Sequence, residues 1–305
     1  YLNWPEVCFR ANAADLAAFR ALVPRGSSVR RVTTDAAFLR ALPRATHVVT
    51  WHFRREWYAR APRLRVVATP AAGRELVSTE APAGVRVHFG GFHGAVISES
   101  VLAFVLAWTH GFFHARHLPL WPRLRLADAV DRDLAGSRAV ILGYGRIGHA
   151  IGSRLAACGV TVFGYSRHLG ISPKALDREL RRADWLIVSL PSDTGTDALV
   201  DADFLAKLPP RCVLVNIGRG NCIDEGALLA ALKGGRLAGA YLDVFRHEPT
   251  VLAKVDCRSR RGEADLARLP ASKCPWNLIR MPHASAYSPT YLRQAFQELK
   301  SDGCL

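Results

Sequence analysis

The 305-residue sequence predicts an α/β protein built as two doubly wound parallel-sheet domains. Three observations lead to this class. The length accommodates two cores of ordinary domain size. Short apolar runs alternate with helical apolar patterns through the first 90 residues, which is the order of strand–helix–strand units. The stretch AVILGYGRIGHAIG at 139–152 reads as buried strand, glycine turn and helix in succession.

Taken in order, strands are expected at 7–9 and 29–32, with an alanine-rich helix over 12–22 between them. Asp35 caps a second helix that ends near Leu42, ahead of Pro43. Further strands are expected at 47–49, 65–68 and 84–89. Two loops here suggest ligand contact. Thr69-Pro70-Ala71-Ala72-Gly73-Arg74-Glu75 directly follows a strand, and open α/β sheets bind ligands at such strand ends. Gly90-Gly91-Phe92-His93-Gly94 leads into an apolar helix over 97–110. Ala72, Gly73, Arg74 and His93 are the candidate substrate contacts, against the alternative of two surface turns. A Pro- and Arg-rich connector at 117–125 precedes the next strand. The domains are drawn as 1–105 with 285–305, and 106–284.

In the glycine turn each glycine has an expected task. Gly143 turns the chain, Gly145 lets main chain approach a pyrophosphate, and Gly148 lets helix pack on strand. The N–H groups of the helix's first turn, at Arg146 and Ile147, together with the helix dipole, would hold the phosphates. The next strand, 160–165, ends at Ser166-Arg167, where an NAD site would carry an acid for the ribose 2′-hydroxyl. A hydroxyl and a guanidinium suit a 2′-phosphate instead. NADP(H) is therefore favoured, with NAD(H) the alternative and a solvated Arg167 the plainer reading. Strands at 186–190, 212–216, 239–242 and 278–281 complete a sheet of the Rossmann type. Their ends share one edge, where Arg219, Asp243, Glu248 and His283 can converge.

Composition narrows the function classes. The net charge is +15, yet only six of the 41 basic residues are Lys, and Arg is spread evenly along the chain. The one cluster is Arg258-Ser259-Arg260-Arg261. A nucleic-acid partner is disfavoured, because it would prefer basic residues gathered on one element among aromatics. No apolar run approaches the roughly 18 residues of a membrane span; the nearest is 101–108. Seven scattered cysteines form no CxxC pair, so they read as reduced core residues of a cytoplasmic protein with no metal site. No signal peptide is read before Tyr1, and the missing initiator Met suggests a trimmed or incomplete N-terminus.

With these motifs in place the sequence resembles the D-isomer-specific 2-hydroxyacid dehydrogenases. The pieces that carry the resemblance are ILGYGRIG (141–148), ADWLIVSLPSDTGTDALV (183–200), LVNIGRG (214–220), YLDVFRHEP (241–249) and MPHAS (281–285). The resemblance implies a flavodoxin-like substrate domain beside the Rossmann domain, and a homodimer formed through the latter. It matches Arg219 to a substrate-binding arginine, Glu248 to a carboxylate partner and His283 to an acid/base. Asp243 matches a position near the nicotinamide amide, while Pro191, Ile217 and Gly218 match strand-end residues that line the cofactor. The implied reaction moves a hydride between the cofactor and a small 2-hydroxy or 2-oxo acid. A cofactor-binding regulator of the same fold is the alternative, and the intact Arg219, Glu248 and His283 set argues against it. The chain departs from the family at Ala72-Gly73-Arg74-Glu75, so Arg74 and His93 are expected to recognise a second anionic or polar group. It also carries a basic, polar insertion over 251–266 and a short C-terminal region with one helix at 288–300.

Overall fold

The computed structural model describes residues 1–2, 9–115, 132–248 and 264–305. Val7 and Cys8 of the first expected strand, the 117–125 connector, the 258–261 arginine cluster and most of the 251–266 insertion lie outside the described residues. The chain divides into two units, Tyr1–His93 with Tyr287–Leu305, and Gly94–Ala286.

In the first unit, α1 (Ala13–Leu22) begins with a capping box. Asn12 Oδ1 accepts from the Asp15 N–H at 2.9 Å, and Asp15 Oδ2 accepts from the Asn12 N–H at 3.1 Å. Thr34 caps α2 (Asp35–Ala41) one residue before the expected cap. Strands β1 (His47–Val49), β2 (Val66–Thr69) and β3 (Arg86–Phe89) are parallel in the order β1-β2-β3. Phe38, Leu42, Val48, Phe53, Trp57 and Val67 form the core beneath them. Among the described residues, 29–32 join no ladder, contrary to expectation; most of the strand expected before them, 7–9, lies outside the described residues. Of Val29-Arg30-Arg31-Val32 only Val32 is buried, and the two valines, three apart, would point to opposite faces of a strand.

The second unit starts with α3 (Gly94–Thr109) and α4 (Phe112–Ala115), followed by β4 (Arg138–Leu142) and α5 (Arg146–Ala157). Next come β5 (Thr161–Tyr165), α6 (Pro173–Leu180), β6 (Trp185–Val188), α7 (Ala202–Leu205) and β7 (Val213–Asn216). Helix α8 (Glu225–Lys233), β8 (Gly239–Leu242) and β9 (Leu278–Arg280) complete it. All six strands are parallel, in the order β5-β4-β6-β7-β8-β9. Strands β6, β7 and β8 are buried at every position, as a sheet covered on both faces requires. Along β4, Val140 and Leu142 face a cluster with Leu180, Leu205 and Leu228, while Ala139 and Ile141 face one with Val101, Phe104, Ile151 and Leu155.

The expected boundary at 105/106 falls inside α3, which lies wholly in the second unit. The reason is its packing on α5. Arg154 bonds Ser98 and reaches Glu99 at 3.2 Å, and Val101, Phe104 and Val105 share a core with Ile151 and Leu155. The final helix, α9 (Tyr291–Ser301), returns to the first unit, where Phe296 meets Phe19 of α1 edge-on at 4.8 Å.

Candidate functional site

Strand order places the site in the second unit. From β4 the chain moves outward to β5, then crosses back over β4 to β6 and continues the other way. Ligands of open α/β sheets bind where that direction reverses, outside the carboxyl ends of the strands. The glycine turn leaves β4 at this point. Gly143 has φ +89°, and a Cβ on it would stand 2.7 Å from the Ser189 carbonyl carbon. A Cβ on Gly148 would collide with the main chain of Gly143. Gly145 differs from both. It caps α5 with extended backbone, no side chain caps the helix, and its Cβ would meet nothing within 4 Å. This open helix start fits a pyrophosphate. Arg146 begins the helix at the surface, and Ile147 is half-buried beside it.

The other strand ends stand in a row of close main-chain approaches. A Cβ on Gly218 would come within 2.6 Å of Leu190 N, so Gly218 lies hard against the residue before Pro191. A Cβ on Gly220 would overlap the main chain of Phe245 and Arg246. Asn216 clamps the intervening turn: its Oδ1 accepts from the Gly218 N–H at 3.1 Å and its Nδ2 donates to the Arg219 carbonyl at 3.1 Å. Ile217 is buried, and the half-buried Arg219 donates to the Gly218 carbonyl at 2.9 Å.

Glu248 and His283, 35 residues apart, meet at this edge with Oε2 and Nδ1 separated by 2.9 Å. Their side chains are 26% and 51% exposed. The second Glu248 oxygen accepts from the Phe245 N–H at 3.1 Å. With the carboxylate at Nδ1, the tautomer that donates to it carries its proton on that nitrogen. Burial works against the imidazolium, but the Glu248 hydrogen bond and charge, with Asp243 behind them, outweigh it. The positive charge of Arg219 opposes them, and His283 is nonetheless raised above its ordinary value. Asp243 is buried. Its carboxylate accepts from the N–H groups of Ala284 (2.8 Å) and Ser285 (3.1 Å), and its carbonyl accepts from the His283 N–H at 2.8 Å. The resemblance assigned Asp243 to the cofactor; its observed bonds hold the turn that presents His283.

At the β5 end, Ser166 is half-buried and Arg167 is 68% exposed. Arg167 Nη2 lies 2.6 Å from Asp193 Oδ2 in the loop after Pro191. The guanidinium hydrogen bond holds the Asp193 carboxyl below its usual range. The sequence reading did not pick out Asp193. It is separated from Arg167 by 26 residues, and only the sheet order brings their strand ends near each other. Asn216 was missed as well, since a lone amide before a glycine carries no distinctive signal.

Within the first unit the structure brings together the two loops expected to touch substrate. Gly90 donates to the carbonyls of Thr69 and Ala71, both at 3.0 Å, beside Ala72 and Gly73. Arg74 is exposed, with its guanidinium 5.3 Å over the Phe89 ring. His93 is 5% exposed, its Nε2 lies 2.7 Å from the Tyr291 hydroxyl, and its ring stacks on Phe92. Packing of α9 accounts for these His93 contacts.

Residues 108–261 match the family model described as the D-isomer specific 2-hydroxyacid dehydrogenase, NAD binding domain. The chain is 33% identical over 216 residues to D-3-phosphoglycerate dehydrogenase of Mycobacterium tuberculosis, covering 64% of this chain and 39% of that protein. It is 31% identical over 215 residues to glyoxylate reductase of Thermococcus kodakarensis, covering 64% of each. The chain thus spans under two thirds of the length of these relatives. The crystal structure of a D-isomer specific 2-hydroxyacid dehydrogenase from Lactobacillus delbrueckii ssp. bulgaricus, in NAD-complexed form, shares the fold. Its TM-score is 0.73 at 17% identity, over 96% of this chain and 94% of that one.

Proposed function

The chain belongs to the D-isomer specific 2-hydroxyacid dehydrogenase family, and from that premise we propose that it moves a hydride between a nicotinamide dinucleotide and a small 2-hydroxy or 2-oxo acid. The observation that carries this reading is the Glu248–His283 pair, 2.9 Å apart at the strand ends beyond the open glycine turn. When bound, the nicotinamide supplies or accepts the hydride. His283 gives its Nε2 proton to the substrate oxygen in reduction and takes it back in oxidation. Glu248 holds Nδ1–H and stabilises the imidazolium. Arg219 binds the substrate carboxylate with its planar fork. Gly143, Gly145, Arg146, Ile147 and Gly148 would hold the pyrophosphate, with Pro191, Ile217 and Gly218 along the nicotinamide side. In the first unit, the loop of Ala72, Gly73 and the exposed Arg74 recognises a further polar group of the substrate, while His93, buried against Tyr291, supports the neighbouring loop and not the substrate. Arg74→Ala raises KM for the best substrate, and an unchanged KM across all substrates removes this role.

NADP(H) is the preferred cofactor on this reading, because Ser166 and Arg167 offer a hydroxyl and a guanidinium where a carboxylate would repel a 2′-phosphate. A second reading, NAD(H), draws support from the 2.6 Å Arg167–Asp193 pair, since a phosphate would compete with Asp193 for the guanidinium. A panel of 2-oxo acids including glyoxylate, hydroxypyruvate and phenylpyruvate, assayed with NADPH and with NADH, tests both. Turnover with NADPH exceeding NADH supports the first reading. Tight dinucleotide binding without turnover on any acid replaces the enzyme with a regulator. We read the assembly as a homodimer, which sedimentation equilibrium would contradict by returning a monomer mass. The free thiols at Cys158, Cys212, Cys222, Cys274 and Cys304 support a reducing compartment such as the cytoplasm. No helix among the described residues is long and apolar enough to cross a membrane.

A further inference from the structure

Glu225 is the first residue of α8 and is 5% exposed, yet the helix does not need it as a cap. Asp224 fills that role by accepting from the N–H groups of Gly226 (2.9 Å) and Ala227 (3.0 Å). The Glu225 carboxylate instead reaches away from its own helix. Oε1 accepts from the Arg246 N–H at 2.8 Å and Oε2 from the Leu266 N–H at 2.7 Å. Arg246 stands two residues before Glu248. Leu266 is fully buried, and its carbonyl accepts from Arg280 Nη1 at 2.8 Å. Arg280 ends β9, three residues before His283. One buried carboxylate therefore ties the segment that presents Glu248 to the strand that presents His283.

We propose that Glu225 is a positioning residue for the acid/base pair, holding Glu248 in register with His283 through the main chain of Arg246 and Leu266. The inference rests on reading Glu248–His283 as that pair. Two convergent N–H donors ask for an acceptor with two oxygens. A glutamine would offer one oxygen and turn an NH2 toward the other donor. Burying a carboxylate is costly, and burial indeed pushes the Glu225 carboxyl up, with Asp265 adding to the rise. The Leu266 and Arg246 N–H groups and His247 pull the other way. Three further contacts grip the same segment. Arg246 Nη2 donates to the Asn221 carbonyl at 3.1 Å and lies 3.2 Å from Asp197 Oδ1, and Gly220 allows the Phe245 main chain to close on it. These fix where the segment lies. Glu225 joins it to the chain bound by β9 through two main-chain N–H groups, and Arg268 Nη1 adds a longer bond of 3.4 Å to the His247 carbonyl.

The test is the NMR titration of the His283 imidazole in the full chain, assigned with His283→Gln. Glu248, Asp243 and Arg219 are the charged groups that act on that ring. In the wild type the midpoint lies above about 6.5, and in Glu225→Gln it falls toward that ordinary value. The same variant loses roughly 10- to 100-fold in kcat, as a displaced catalytic group does, with dinucleotide affinity unchanged. In a Glu248→Gln background, Glu225→Gln alters neither midpoint nor kcat. An unmoved midpoint in the single variant overturns the proposal, as does an equal kcat loss in both backgrounds. If Glu225→Gln does not fold, Glu225→Asp, one methylene too short to reach both amides, is read in the same way. Because the titration needs no turnover, a wild type inactive on every 2-oxo acid speaks against the proposed function and leaves this readout intact.

Discussion

Replacing the three glycines of the turn one at a time separates folding from binding, because their surroundings differ. At Gly148 a new Cβ would lie well under 3.0 Å from the main chain of Gly143, and main chain cannot swing aside as a flexible side-chain end can. Restoring ordinary contact needs a shift of about 1 Å between α5 and the turn, an overpacking that costs about 1–3 kcal/mol. For a unit of this size each kcal/mol lowers Tm by about 2–4 °C, so Gly148→Ala should melt about 2–12 °C early. Gly143→Ala adds a left-handed conformation to its clash with Ser189 and should melt at least as early. Gly145 has φ −90° and ψ −157°, which alanine adopts freely, and open space where the methyl would go. The entropy removed from the unfolded chain, about 0.4–1 kcal/mol, offsets the loss of a favourable cap residue, so Tm should hardly change. The methyl stands where the pyrophosphate must approach, so dinucleotide affinity should fall at least tenfold, or about 1.4 kcal/mol. Differential scanning calorimetry and NADPH fluorescence titration give the two numbers. A Gly145→Ala protein that binds NADPH and NADH like the wild type would refute the phosphate cradle.

Three other outcomes follow from the geometry. Reduction needs the imidazolium, so its kcat falls as pH rises through the raised His283 value, and oxidation shows the opposite limb. Glu248→Gln moves both limbs to lower pH, and a pH–rate profile left in place removes the pairing from the reaction. Arg219→Lys keeps the charge but loses the fork, and KM for the 2-oxo acid should rise roughly 10- to 100-fold at constant dinucleotide affinity. Asp193→Asn relaxes its hold on Arg167 and should raise the NADPH/NADH ratio of kcat/KM, whereas Arg167→Ala should lower it; equal ratios in all three proteins would show that this strand end does not read the 2′ position.

Features legible in the sequence were those written into local pattern. The strand–glycine–helix order at 139–152 located the turn, and the apolar runs located β4 to β9 within a residue or two. Even so, the local pattern at Val29-Arg30-Arg31-Val32 misled, because apolar residues three apart point to opposite faces of a strand and build no common apolar face. The α3 boundary shifted because an almost wholly apolar helix does not declare which domain it packs on. What stayed hidden was carried by side chains bonded to distant main chain. In sequence, Asp224-Glu225 looks like two interchangeable acids at a helix start. In the fold, Asp224 caps α8, and Glu225 turns to Arg246 and Leu266. Likewise His93 reads as a candidate substrate contact until Tyr291, 198 residues later, closes on it.

His283 has φ +54°, a backbone region that side-chain-bearing residues seldom enter and that asparagine tolerates better than most. On the proposed function the position answers to two unrelated demands, an imidazole for proton exchange and a left-handed turn that Asp243 keeps closed. Alanine at 283 would remove the ring and also free the turn to spring into the right-handed region, mixing a chemical loss with a mechanical one. Asparagine would leave the turn wound and delete only the base. The same logic limits what inheritance can try at this site: a chain drifting away from catalysis has an easier path through asparagine or glycine than through valine or isoleucine, whose branched side chains would force the turn open.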